Sequence, residues 1–169
     1  MSIINHLLQK MTAYYAGDPK RIHHFIKVHS FSKQIGELEQ LDKSTQFVLE
    51  IASIVHDIGI KVAEEKYGKC HGKLQEEEGP AVAKDMLTVL GVDASIIARV
   101  CYLVGHHHTY AHIDGMDYQI LIEADFLVNM FEDDFSKSAI TATYGNIFKT
   151  ASGKRICKNM YAIHEQESS

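Results

Sequence analysis

The stretch Ile51-Ala52-Ser53-Ile54-Val55-His56-Asp57-Ile58-Gly59 sets an adjacent imidazole and carboxylate at the end of an otherwise apolar helical run. Burying an unpaired carboxylate costs more than a helix of this size offsets, so Asp57 calls for a cation or a metal ion. A metal would satisfy both residues at once. The same residues allow a purely structural alternative, in which Asp57 is a cap, His56 bonds at the helix C-terminus and Gly59 is the left-handed residue that ends the helix.

Working outward, other polar residues fall at apolar positions. Upstream, Asp18-Pro19 supplies an N-cap followed by proline at the first helical position, and a helix is expected from there to about Leu41. Its buried stripe reads Ile22, Phe25, Ile26, His29, Ser32 or Lys33, and Gly36, so His29 points inward. Asp42 to Ser44 caps the helix that carries His56 and Asp57, which is apolar nearly all round and therefore central. Downstream, Asp125 lies within the apolar run Ile120-Leu121-Ile122-Glu123-Ala124-Asp125-Phe126-Leu127, with Glu123 pointing elsewhere. A further apolar helix capped by Asp93 ends at Gly105 and the run His106-His107-His108. Successive helical residues point about 100° apart, so at most one or two of these three can face one metal.

The remaining chain also reads as helix. One short amphipathic helix covers Ile3 to Tyr15 and stops at Gly17, and another covers about Lys61 to Tyr67. Gly68 to Gln75 reads as a loop and a lid candidate; a helix then opens at the acidic Glu76-Glu77-Glu78 and runs through Pro80 to Leu90. Thr109 to Met116 is a connecting loop before a helix over Tyr118 to Phe131. Two weaker helices follow, Ser136 to Lys149 and Ser152 to His164, and residues 165–169 are expected to fray. No alternating strand pattern or repeat interrupts this all-α pattern.

At 169 residues and 46% hydrophobic, the chain suffices for one domain with its own core. A net charge of −5, without a long basic block, argues against a nucleic-acid polymer as partner and leaves room for a small anionic ligand. Cys70, Cys101 and Cys157 are odd in number and widely spaced, which fits no disulfide framework and points to a reducing cytoplasm. No apolar run approaches the roughly 20 residues that span a bilayer, and the N-terminus resembles no signal peptide, so no membrane partner is expected. Histidine is the outlier: 11 residues, a composition that favours metal or proton chemistry.

With His29, the His56-Asp57 pair and Asp125 in place, the chain resembles the HD-domain superfamily of metal-dependent phosphohydrolases over roughly Arg21 to Met130. The resemblance implies a single-domain helical bundle over residues 1–169, with residues 136–164 as added C-terminal helices. It also implies a mono- or dinuclear centre of divalent ions (Mn, Mg, Co, Ni, Zn or Fe) held by His29, His56, Asp57 and Asp125. His106 and His107 are similar to histidines that serve a second metal in two-metal members. Where such members carry an earlier histidine, this chain has Gln75-Glu76-Glu77-Glu78-Gly79, so a second site would need one of these glutamates or His71. No Gly-Tyr-Pro signature of the cyclic dinucleotide branch is present.

The implied reaction is hydrolysis of a small phosphorylated metabolite or nucleotide by metal-activated water. Asp57 and His56 are its expected catalytic residues. Lys61, one turn beyond Asp57, is the first candidate to reach a substrate phosphate, with Arg21 and Lys27 as others. A di-iron oxygenase and a non-catalytic metal-binding module are the rival readings of the same ligand set. Oligomeric state is not legible.

Overall fold

The computed structural model describes residues 2–163, which form nine helices and no strand. In chain order they are α1 (Ile3–Tyr14), α2 (Pro19–Leu38), α3 (Lys43–Val55), α4 (Gly59–Tyr67), α5 (Gly72–Val89), α6 (Ala94–Val104), α7 (Met116–Glu132), α8 (Lys137–Ile147) and α9 (Ala151–Tyr161). Residues 164–169, which hold the expected end of the last helix at His164 and the frayed end expected over 165–169, lie outside the described residues.

The capping chemistry sets most boundaries. Asp18 accepts from the Arg21 N–H at 3.1 Å ahead of Pro19, and Asp42 accepts from Ser44 and Thr45 N–H at 2.9 and 3.1 Å. Both caps stand where the sequence places them. α2 ends three residues early, at Leu38, because Gln40 takes a positive φ of 58°.

Helix α3 is the axis of the bundle. Val48, Leu49, Ile51, Ala52, Ile54 and Val55 are all buried, and α3 packs against α1, α2, α6 and α7. Helix α7 is the second central element, buried from Asp117 to Ala124 and again at Leu127, Val128 and Met130. With α2 packed against both, side chains from all three meet at one end of the bundle. The C-terminal helices are seated by Glu123, fully buried, which accepts from Gln119 Nε2, Lys149 N–H, Thr150 N–H and Thr150 Oγ1 at 2.5–2.9 Å.

Two expectations change. Gly59 does not end α3 in a left-handed conformation: α3 stops at Val55, residues 56–58 form a turn, and Gly59 itself opens α4. Its need for glycine is one of space, because a Cβ there would lie 2.6 Å from Gln75 O and 2.7 Å from Gly79 N on α5. The loop expected over 68–75 is also shorter, since α5 starts at Gly72, where a Cβ would lie 2.8 Å from the His108 ring. Glycine at both positions brings helices together rather than breaking them.

Gly59→Ala should therefore push α4 off α5 and overpack the junction by about 1–3 kcal/mol. The midpoint of thermal unfolding is expected to fall by roughly 3–10 °C. A midpoint unchanged within about 1 °C would remove the close-approach argument.

Candidate metal centre

Four side chains from α2, the α3–α4 turn and α7 converge. His24 Nε2 lies 3.1 Å from His56 Nε2, 3.2 Å from Asp125 Oδ1 and 3.4 Å from Asp57 Oδ2. His56 Nε2 is 3.5 Å from both Asp57 Oδ2 and Asp125 Oδ1. His24, His56 and Asp125 are buried, whereas the Asp57 side chain keeps 21% exposure.

Tautomers follow from the outer partners. His56 donates its Nδ1–H to Ser53 O and His24 donates its Nδ1–H to Glu132 Oε2, both at 2.8 Å. Each Nε2 lone pair is thereby directed at the other and at two carboxylates. Such a set is stable only with positive charge at its centre, as a proton or a metal ion. Burial opposes charge on His24, yet its bond to Asp125 and the nearby Asp57 raise its pKa to about 9. Burial likewise opposes ionisation of Asp57 and Asp125, but the facing histidines hold both well below the usual carboxylate range.

The donor spacing fits a cation. Ligands about 2.1 Å from one ion stand about 3.0 Å apart in adjacent octahedral positions and about 3.4 Å apart in a tetrahedron. The imidazole–imidazole and imidazole–carboxylate separations of 3.1–3.5 Å match this range. Two imidazoles and two carboxylates suit Mn, Fe, Co, Ni or Zn better than an all-oxygen ion.

A second group shares Asp57. Its other oxygen, Oδ1, lies 3.3 Å from His107 Nε2, and Asp57, His107 and His108 bring ligand atoms within 4.8 Å of one another. His107 donates its Nδ1–H to Val104 O at 2.8 Å, so its Nε2 also faces the carboxylate. Burial, then repulsion from His107, lowers the His108 pKa to about 4, which keeps that ring neutral. Gln75 Oε1 holds His108 Nε2 at 2.8 Å, and Glu76 accepts its backbone N–H at 3.0 Å.

Of the site residues expected from sequence, His56, Asp57, Asp125 and His107 come together, and three do not. His29 is bonded to Glu50 of α3 at 3.1 Å; residues five apart on a helix stand about 140° apart, so it faces away from His24. Lys61 donates to Tyr14 O at 3.1 Å and lies 4.9 Å over the Tyr14 ring, away from the cavity. His106 donates to Tyr102 O at 2.7 Å and stacks on that ring at 4.2 Å. Of the glutamates weighed for a second site, Glu78 instead binds Lys66 and Tyr67. His71 is exposed at the α5 N-cap.

Sequence reasoning missed His24 and left open which of His106, His107 and His108 faces the cluster. His24 begins the row His24, Val28, Ser32 at four-residue spacing, a second buried edge of α2 that was legible but not followed. His108 joins His107 because the chain has left α6 at Val104, where the helical angle between neighbours no longer applies.

The cluster borders a cavity of about 600 Å³. Lys20 and Arg21 contribute cations to its wall, and Tyr110, Phe126 and Phe135 contribute aromatic surface. Arg21 is held by Asp18 at 3.1 Å and Glu64 at 2.6 Å. The turn beneath is anchored by α1: Tyr15 donates to Asp57 O at 2.8 Å and Tyr14 to Ile58 O at 3.3 Å.

The chain matches no protein-family model and no curated protein. Among solved structures, it is similar to the crystal structure of a predicted HD superfamily hydrolase from an uncultured Thermotogales bacterium. The TM-score is 0.67 at 24% identity, covering 94% of this chain and 84% of that one. The likeness is one of fold: this chain shares the helical architecture of that protein, the all-α fold that the sequence resemblance implied.

Tyr15→Phe should cost about 1 kcal/mol by removing the hydroxyl from Asp57 O while keeping the buried ring. Urea denaturation would read this; stability equal to the parent would show that the turn stands without its anchor.

Proposed function

We propose that this chain is a metal-dependent phosphohydrolase acting on a small phosphorylated metabolite or nucleotide. The observation that carries the reading is the convergence of His24, His56 and Asp57, with Asp125 facing both histidines and both imidazole Nδ1 atoms occupied elsewhere, beside a cavity of about 600 Å³. These four would hold a first divalent ion, and Asp57, His107 and His108 would hold a second. The ions would supply Lewis acidity and an activated water for attack on phosphorus.

The chain's own groups do the rest. Asp57, more exposed than His24, His56 and Asp125, orients water at the cavity face. Arg21, fixed by two carboxylates and lying 5.7 Å over the Tyr15 ring, presents a pre-aligned guanidinium, and Lys20 adds a second cation for an anionic substrate. The aromatic wall excludes water from the non-reacting part of the substrate. Cys70, Cys101 and Cys157 are free thiols, and no helix among the described residues is long and apolar enough to cross a membrane.

Two measurements test this reading. Metal analysis of purified protein is expected to find at least one bound transition metal. His24→Ala should lose most of it and His29→Ala should retain it; the reverse pattern would reinstate His29 as a ligand. In a screen of phosphomonoesters, phosphodiesters and nucleotides, Asp57→Ala and His56→Ala should each lower turnover at least about 100-fold with helical circular dichroism intact. Near-parental rates in metal-replete buffer would sink the hydrolase.

A further inference from the structure

The three buried imidazoles of the cluster are not held alike. His56 and His107 donate Nδ1–H to backbone carbonyls three residues earlier, Ser53 O and Val104 O, each at 2.8 Å. His24 instead donates to a carboxylate at 2.8 Å, Glu132 Oε2, from the last turn of a distant helix. We infer that Glu132 is the positioning residue of His24: it sets the tautomer, aims Nε2 into the cluster and strengthens that nitrogen as a metal donor. The inference rests on the metal-centre reading above.

The need for a carboxylate here follows from where each histidine stands. His56 and His107 follow the ends of α3 and α6, where helix carbonyls lack intrahelical partners and can accept a ring N–H. His24 stands in the second turn of the unbroken α2, whose neighbouring carbonyls are consumed by the helical ladder. Its Nδ1 must find a partner on another helix. α7 supplies one, because Asp125, Asn129 and Glu132 follow one another at four- and three-residue spacing on a single face.

That face supports the cluster twice. Asn129 Nδ2 donates to Asp125 Oδ1 at 2.9 Å, and Glu132 takes His24. The other oxygen of Glu132 accepts from Lys27 Nζ, so the ammonium that sequence offered as a phosphate contact is engaged in holding this carboxylate. The Glu132 side chain is only 11% exposed. Lys27 Nζ, on the oxygen that His24 leaves free, supplies the countercharge of this carboxylate. A charged acceptor behind a ligating imidazole makes the far nitrogen a stronger donor than a peptide carbonyl does.

The test is titration of metal-free protein with Co(II), followed by calorimetry and by the visible absorption of the bound ion. Glu132→Ala is expected to bind cobalt about 10- to 100-fold more weakly, with an altered absorption spectrum. Glu132→Gln, which keeps an acceptor but removes the charge, should fall between it and the parent. A merely structural role would lower the melting temperature of the metal-free protein but leave affinity and spectrum of the folded protein unchanged. Cobalt affinity of Glu132→Ala within about twofold of the parent, with the parental spectrum, overturns the inference alone. If the alanine variant does not fold, parental affinity in Glu132→Gln overturns it instead. A parent that binds no cobalt overturns both this inference and the metal-centre reading.

Discussion

Two imidazole nitrogens 3.1 Å apart, each within 3.5 Å of both the Asp57 and the Asp125 carboxylate, form the constraint on which the rest of the structure depends. Such an arrangement repels itself unless positive charge occupies its centre, and it persists because three separately anchored backbones leave the side chains nowhere else to go. α3 is fixed by an apolar surface on nearly every side, and α7 is buried along most of its length. The turn between α3 and α4 is tied to α1 through Tyr14 and Tyr15. Folding energy from hydrophobic burial thus maintains a polar cluster that would not assemble by itself.

Helix α7 shows how burial alone fails to identify a functional acid. Glu123 and Asp125 are two residues apart and both buried. Glu123 receives four neutral donors around the α8–α9 turn, which satisfies its oxygens and makes it a structural staple. Asp125 receives one amide and faces two histidines, so its oxygens remain oriented toward a cation. The chemistry of the partners separates the roles.

Asp57 joins the two halves of the centre, presenting Oδ2 to His24 and His56 and Oδ1 to His107. It occupies this position because the chain leaves α3 just before it and re-enters a helix at Gly59, where the missing side chain lets α5 approach. The same approach brings Gln75 and Glu76 against the 107–108 segment. A contact between two helix backbones therefore contributes directly to the geometry of the site.

What the sequence determined by itself was the helical character, the caps at Asp18 and Asp42, the central place of α3, and the presence of His56, Asp57 and Asp125 on apolar surfaces. These follow from local periodicity and from the cost of burying charge, both of which one chain displays. Which histidine of α2 joins them was decided only by tertiary structure. α2 is packed between α3 and α7 and so has two buried edges; Glu50 of α3 takes His29 on one side, while Asp125 and Glu132 of α7 take His24 on the other. Lys61 and the 106–108 run depended on turns that redirect the chain. Periodicity specifies angles only within one helix, and the direction of the next helix is set by packing.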